Sequence, residues 1–449
     1  MRRLNPVFSC FLLMAVLLLN GCVSSGSQRP AWTYTDREVQ NAEQPPSNLS
    51  DKITSAQVAA VQKETLAADG TVIAAAPDAK AIAQASMRPV KVGILLPLSG
   101  EHSDLGQAML QASQMALFDA GYDNFEILPQ DTASDGGARA AAQRVVDGGA
   151  ELVLGPVFAD DVRAAKSVVQ GAGINMIAYS TDWGLAGGNT FIMGFLPFDQ
   201  VERVVQYAAS QNLGRIAVFA PGSDYGRVVV SAYQAYAQKH GLQTAKIQTF
   251  SANGSNLKND LLKFTEFESR QSIIQQNPGN AAAAEPPFDA VLMPVGGTLA
   301  SSVGSLLTEY GLRPDSVKRL GTGLLDDMSL AAEPSLKGAW FAAPPPSSRA
   351  SFERRFQKNY GYTPPRLTSL AYDSTALAAI LAQRGLKSRG QPMFDKDSIS
   401  NPNGFAGIDG IFRFRPDGTV ERGLAIVEFR GGQISVIDEA PTTFQFSRF

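Results

Sequence analysis

The residues of this 449-residue chain that could do chemistry are donors and acceptors at the ends of apolar runs. Ser99-Gly100 follows the run Val90 to Leu96, Gly155-Pro156 follows Leu152 to Leu154, and Ser180-Thr181 follows Asn175 to Ala178. Gly296-Gly297 comes after Ala290 to Pro294, and Tyr225 opens a helical stretch beyond Ile216 to Phe219. Glycine lets a backbone N–H approach a carboxylate, and a helix N-terminus behind it favours negative charge. The hydroxyls of Ser180 and Thr181 add donors, and Asp326 or Asp327 can receive an ammonium. Such a set suits a zwitterion. The same residue types also serve as plain strand-end turns, so each position carries both readings.

Catalytic chemistry finds little to work with. The chain has two histidines. His240 ends a helix beside Gly241 and reads as a solvent-facing C-terminal cation. His102 sits in a loop next to Glu101 and Asp104, an exposed position whose alternative is a ligand contact. There is no G-x-S-x-G elbow, no H-E-x-x-H, no P-loop and no Cys/His cluster for zinc. Asp160-Asp161 and Asp326-Asp327 are adjacent acids and read as solvated faces or caps. The expectation is a non-enzyme with no cofactor and no metal. A net charge of −3 argues against a nucleic-acid partner.

The elements that must position these groups begin after a leader. Arg2-Arg3, an apolar run from Val7 to Leu19, and Leu19-Asn20-Gly21-Cys22 read as an export signal, too short for a stable membrane anchor. The string is similar to a bacterial lipoprotein signal, which implies cleavage after residue 21 and a lipid on Cys22. The chain's other cysteine, Cys10, leaves with the signal, so no internal disulfide is expected. Residues 22–88 are rich in Ser, Ala, Gln, Asp and Pro and read as a flexible tether with an r.m.s. span on the order of 45 Å. Val23 after the cysteine implies sorting to the outer membrane, with the folded part in the periplasm.

From Pro89 onward strands and helices alternate. Val90 to Leu96, Phe125 to Leu128, Leu152 to Leu154 and Asn175 to Ala178 are strands, with helices placed by Leu105, Met109, Ala112 and Ala116 and by Ala138, Ala141, Ala142 and Val145. A second block repeats the pattern: strands over 216–219, 244–250, 290–294 and 319–322, and helices over 225–240, 257–269 and 298–310. Gln275 to Pro287 is low-complexity. Trp340 to Ala343 is strand-like and stops at Pro344 to Pro346; helices over 351–360 and 367–384 precede a β-rich end. The expected fold is α/β, with parallel sheets covered on both faces.

Several stretches together resemble a known family. They are Val92 to Gly100, Asp131 to Asp135 with Gln143 to Asp147, Leu154-Gly-Pro156, Asp224-Tyr-Gly226, and Gly410 to Gly418. In this order they resemble a type I periplasmic binding protein of the leucine-binding class. The resemblance implies two doubly wound, Rossmann-like lobes joined by hinge strands, with a ligand cleft between them. It sets lobe 1 at 89–196 plus 342–405, lobe 2 at 197–341 plus 406–440, and a tail at 441–449. Crossings would fall near 195–198, 338–341 and 405–411. The cleft residues it implies are Ser99, Gly100, Phe158, Ser180, Thr181, Tyr225, Gly296 and Asp326.

One departure separates two functions. Leucine-type receptors carry a hydroxyl after the third strand for the ligand's carboxylate, whereas Gly155-Pro156 here is followed by Val157-Phe158. Ile177 to Asp182 and Phe191 to Pro197 look more like the penicillin-binding protein activator branch, lipoproteins that contact peptidoglycan synthases. The favoured expectation is therefore a lipoprotein with a peptidoglycan synthase (penicillin-binding protein) as partner in cell-wall synthesis. The alternative is a receptor delivering amino acids or related small ligands to an ABC transporter.

Overall fold

The computed structural model describes residues 88–276 and 285–444. The signal, Cys22, the tether through residue 87 and the last five residues of the tail lie outside them, as does most of 275–287. The first sheet is built from β1 (Val90–Leu96), β2 (Phe125–Asp131), β3 (Leu152–Leu154), β4 (Asn175–Ala178) and β5 (Thr190–Ile192). All pairings are parallel, in the order β2-β1-β3-β4-β5. Val92, Ile94, Leu95 and Leu96 are fully buried, as a strand covered on both faces must be. The covering helices are α1 (Ser103–Ala120), α2 (Gly137–Asp147) and α3 (Ala159–Gly171).

The chain then runs through α4 (Pro197–Ser210), β6 (Arg215–Pro221), α5 (Asp224–His240), β7 (Gln243–Phe250), α6 (Leu257–Phe264) and α7 (Phe267–Gln276). It continues with β8 (Ala290–Leu292), α8 (Gly297–Glu309), β9 (Lys318–Gly321) and β10 (Trp340–Ala343). Helices α9 (Pro346–Tyr360), α10 (Thr368–Arg389) and α11 (Lys396–Ile399) follow. Last come β11 (Phe405–Gly407), β12 (Gly410–Phe414), β13 (Val420–Arg422), β14 (Ala425–Arg430) and β15 (Gln433–Asp438). The second sheet has the order β15-β14-β10-β9-β8-β6-β7, parallel from β7 to β10 and antiparallel at β14 and β15. Both sheets therefore share one winding, with a switch point between β1 and β3 and another between β6 and β8.

Each sheet has its own core, and the later chain returns to the first. Phe352 and Phe356 of α9 and Tyr372 of α10 pack on Ala108, Ala112 and Ala116 of α1. Phe405, Phe412, Phe414 and Val420 join the core of β1 to β5, and Ile192 bridges to Thr419. Ala425 and Val427 belong to the second core. The passages between cores thus fall before α4, between Ala343 and Pro346, and between Arg422 and Ala425. The last lies later than the 405–411 that the family resemblance implied, because the apolar faces of β11 to β13 complete the first core.

Two local readings also change. The helix over 257–269 is broken at Glu266, which takes the left-handed conformation (φ 54°) between α6 and α7. Pro346 starts α9 rather than ending β10; at a first helical position its missing N–H has no partner to lose.

Candidate functional site

A cavity of about 1000 Å³ opens between the two cores. Its apolar wall comes from Trp183, Phe195, Phe198, Tyr225, Leu324 and Leu424. Trp183 and Phe198 meet edge-on with centroids 5.2 Å apart, a favoured aromatic geometry that fixes both rings. Polar groups reach the cavity from strand ends and helix starts: Thr181 after β4, Gln200 on α4, Gly323 and Asp326 after β9, and Arg366 before α10. This is the carboxyl-end location where open α/β sheets bind ligands.

Tyr225 is held from both sides. Gly226 lies so close to Pro221 that an added Cβ would meet its carbonyl oxygen at 1.9 Å, so the start of α5 seats directly on the end of β6. Ser223 caps the helix by accepting from the Gly226 N–H at 3.2 Å. The Tyr225 hydroxyl then donates to Thr322 Oγ1 at 2.8 Å. Burial pushes the phenol up to about 12, with the Thr322 bond pulling the other way.

Asp326 is enclosed by arginines. Its Oδ2 lies 3.0 Å from Arg349 Nη1 and 3.7 Å from Arg366 Nε, and only 9% of the side chain is exposed. Asp326 follows the 3₁₀ turn Gly323–Leu325, which belongs to the second core: Leu325 is buried there, and Gln200 Oε1 accepts from Gly323 N at 2.7 Å. Arg349 lies on α9 and Arg366 just before α10, both packed toward the first core. The ion pairs therefore join the two halves across the cavity.

Behind them sits a buried charge cluster. Asp409 accepts from Ser369 Oγ at 2.6 Å and from Arg366 Nη1 at 3.1 Å. Burial would raise its carboxyl, but Arg366 and Arg422 outweigh that and hold it below the usual range. Asp373, which accepts from the Ile408 N–H at 2.8 Å, is pushed up to about 7 by burial, and next by the charge of Asp409. Arg422 donates to the Met193 carbonyl at 2.8 Å. Arg366 and Arg422 both lie over Phe195, 4.2 and 4.7 Å from its centroid, a cation–π arrangement that fits the ring's negative face.

Of the eight cleft residues the sequence suggested, Thr181, Tyr225 and Asp326 line the cavity. Ser180 is buried one residue away, with its Oγ accepting from the Asp182 N–H at 3.0 Å. Gly296 packs behind the wall; an added Cβ would meet the Leu324 carbonyl at 2.5 Å. Ser99, Gly100 and Phe158 form a separate group. Ser99 Oγ donates to Asp131 Oδ2 at 2.6 Å, and Phe158 packs against His102 with centroids 4.7 Å apart. Burial would raise Asp131, but Ser99 and the N–H groups of Ala133, Leu98 and Ser99 hold it below the usual range.

No strand-end or motif signal marks Arg366, Arg422, Gln200, Trp183, Phe195 and Phe198, which line the cavity, or Arg349, which pairs with Asp326. The spacing of Val201, Val204, Val205 and Ala208 marks α4, which would have drawn attention to Gln200 at its start. No sequence spacing joins Arg349, Arg366 and Asp326, which the fold brings together from three elements.

Among known proteins, a family model described as periplasmic binding protein matches residues 89–433. An uncharacterised protein of Rickettsia prowazekii is 21% identical over 147 residues, which is 33% of this chain and 39% of that protein's length. The structure of a putative branched-chain amino acid ABC transporter protein from Rhodospirillum rubrum superposes with a TM-score of 0.63 at 16% identity, covering 78% of this chain and 100% of the other. The C-domain of LpoA from Haemophilus influenzae, a regulator of PBP1A, superposes with a TM-score of 0.56 at 17% identity, covering 77% and 99%. At these identities the two superpositions establish the bilobed fold, and the family match spans most of the chain. The chain belongs to the periplasmic binding protein family.

Proposed function

We propose that this is a non-enzymatic envelope protein, tethered by a lipid on Cys22 to the outer membrane, that works through a protein partner in cell-wall synthesis. The carrying observation is Asp326. A receptor for an amino acid needs a free carboxylate for the ammonium and free donors for the carboxylate at the same time. Asp326 is already paired with Arg349 and Arg366. Ser180 is buried outside the cavity lining, and Ser99 is bound to Asp131 away from the cavity. The shared fold with the LpoA C-domain, a regulator of PBP1A, supports a peptidoglycan synthase as the partner.

The test is retention of a detergent-solubilised bifunctional peptidoglycan synthase from the same cells on the immobilised full chain. The proposal expects retention that survives saturating free amino acids. Absence of retention would contradict it. The alternative, a solute receptor, is favoured by the size of the cavity, which lies at the top of the range of small-molecule sites.

A further inference from the structure

The ion pairs between the lobes have a second property, independent of which protein partner the chain has. The chain passes between its two cores three times, and beside each passage a residue bonds to the other half. Just past the first, Asp199 on α4 lies 3.0 Å from Arg415 Nη2, in the loop between β12 and β13. Just past the second, Arg349 on α9 lies 3.0 Å from Asp326 Oδ2. At the third, the backbone N–H of Arg422 donates to Asp199 Oδ2 at 2.9 Å. Helix α4 packs through Val201, Val204 and Val205 on the second sheet, whereas Phe414 and Val420, on either side of the Arg415 loop, belong to the first core. Both acids therefore come from the second half, and their arginine partners from the first. Hinge motion of two lobes turns on a few residues between them, and here those residues are tied across the hinge.

We propose that these ion pairs clamp the hinge: they hold the lobes closed without any ligand, and Asp326 is the group that must let go before the lobes part. The two acids differ in what their release would leave behind. Arg349 keeps Glu353 at 2.9 Å, one turn along α9, and Arg366 keeps Asp409 at 3.1 Å. Withdrawing Asp326 therefore strands neither arginine. Asp199 is held by a side chain and a backbone donor at once and is the fixed end of the clamp. A half-enclosed pair is screened by salt much less than one on the open surface, so the clamp persists at ordinary ionic strength. Closure that a ligand would otherwise drive by touching both lobes is supplied by the chain's own charges. Parting the lobes would bring water to the loops that face each other across the cavity, at 181–183 and 323–326, and leave the strands behind them intact.

The experiment is hydrogen–deuterium exchange of the full chain, read by mass spectrometry with no ligand added. Asp326→Asn and Arg349→Gln should each speed exchange across 181–185 and 323–326 by about fivefold or more, with 92–96 and 152–154 unchanged. Both variants break the same contact, so the double variant should be no faster than the faster single one. A change confined to 323–330 in Asp326→Asn overturns the proposal, because releasing a clamp must also free the facing loop of the other lobe. So do unchanged rates in both single variants, or effects that multiply in the double variant. If one single variant does not fold, whether the other's effect reaches 181–185 decides alone.

Discussion

The two lobes wind their sheets identically, yet their strand-end loops end up in different states. In the first lobe, the loops after β1 and β3 are closed on themselves. Ser99 is bound to Asp131, and Phe158 lies against His102. In the second lobe, the loops after β6 and β9 face the cavity, where Tyr225, Gly323, Leu324 and Asp326 form one wall. The counterparts differ after β1 and β6, where Ser99 is bound to Asp131 outside the cavity and Tyr225 lines it. They agree after β4 and β9, where Thr181 and Trp183 face Leu324 and Asp326 across the same cavity. Topology places the loops, and local side-chain partners decide which of them reach the cleft.

The strongest way to break this comparison is to unbalance the charges between the lobes. Asp409→Ala leaves Arg366 and Arg422 without their buried carboxylate and should cost about 3–5 kcal/mol. Urea unfolding reads the loss; a change under about 1 kcal/mol would mean that the cluster is solvated and not structural. Next in size, Gly226→Ala should cost about 1–3 kcal/mol, because its Cβ would meet backbone rather than a movable side chain. The same unfolding curves check it, and an unchanged midpoint would show that α5 is free to shift off β6.

A pH series sharpens the picture further. Asp373 has a folded-state value raised to about 7, so its contribution to stability is complete at acid pH and is lost as pH rises toward that value. Asp409, Asp131 and Asp289 are lowered and act in the opposite sense, losing their contributions only in strong acid. Compared with Asp373→Asn, the unmodified chain should therefore lose stability between about pH 4 and 7. Parallel Tm profiles for the two chains across that window would refute the assignment. The smallest effects should fall on the loops themselves. Tyr225→Phe should cost about 1 kcal/mol through the lost bond to Thr322, and Ser99→Ala, on an exposed loop, no more than that. Both are read from denaturant midpoints, and a larger loss from Ser99→Ala would show that the first-lobe loop carries more than its local bond.

Much of the fold was legible because its signals are local. Val92 to Leu96 and Leu152 to Leu154 are unbroken apolar runs, and the structure has them in buried central strands. Tyr225 could be found because Ser223-Asp224 before it is a helix start. The missing parts depend on distant residues. Whether 405–422 belongs to the first or second core depends on Phe414 meeting Phe191, far apart in sequence. Asp326 reads from sequence as an acid after a strand, but its arginine partners are 23 and 40 residues further on, and no periodicity links them. The strand-end rule points to Ser99 and the family resemblance to Phe158, and the side-chain partners Asp131 and His102 hold both in a group apart from the cavity.

The central claim is that the cleft does not hold an amino-acid zwitterion, because the ammonium acceptor is already bound. Thermal unfolding of the full chain against a panel of free amino acids tests it most directly. A ligand present at about 100 times its Kd would add about 2.7 kcal/mol and raise Tm by several degrees. The account predicts a flat Tm across the panel, with isoleucine no different from buffer. A clear rise with any one amino acid would contradict it and make the chain a solute receptor.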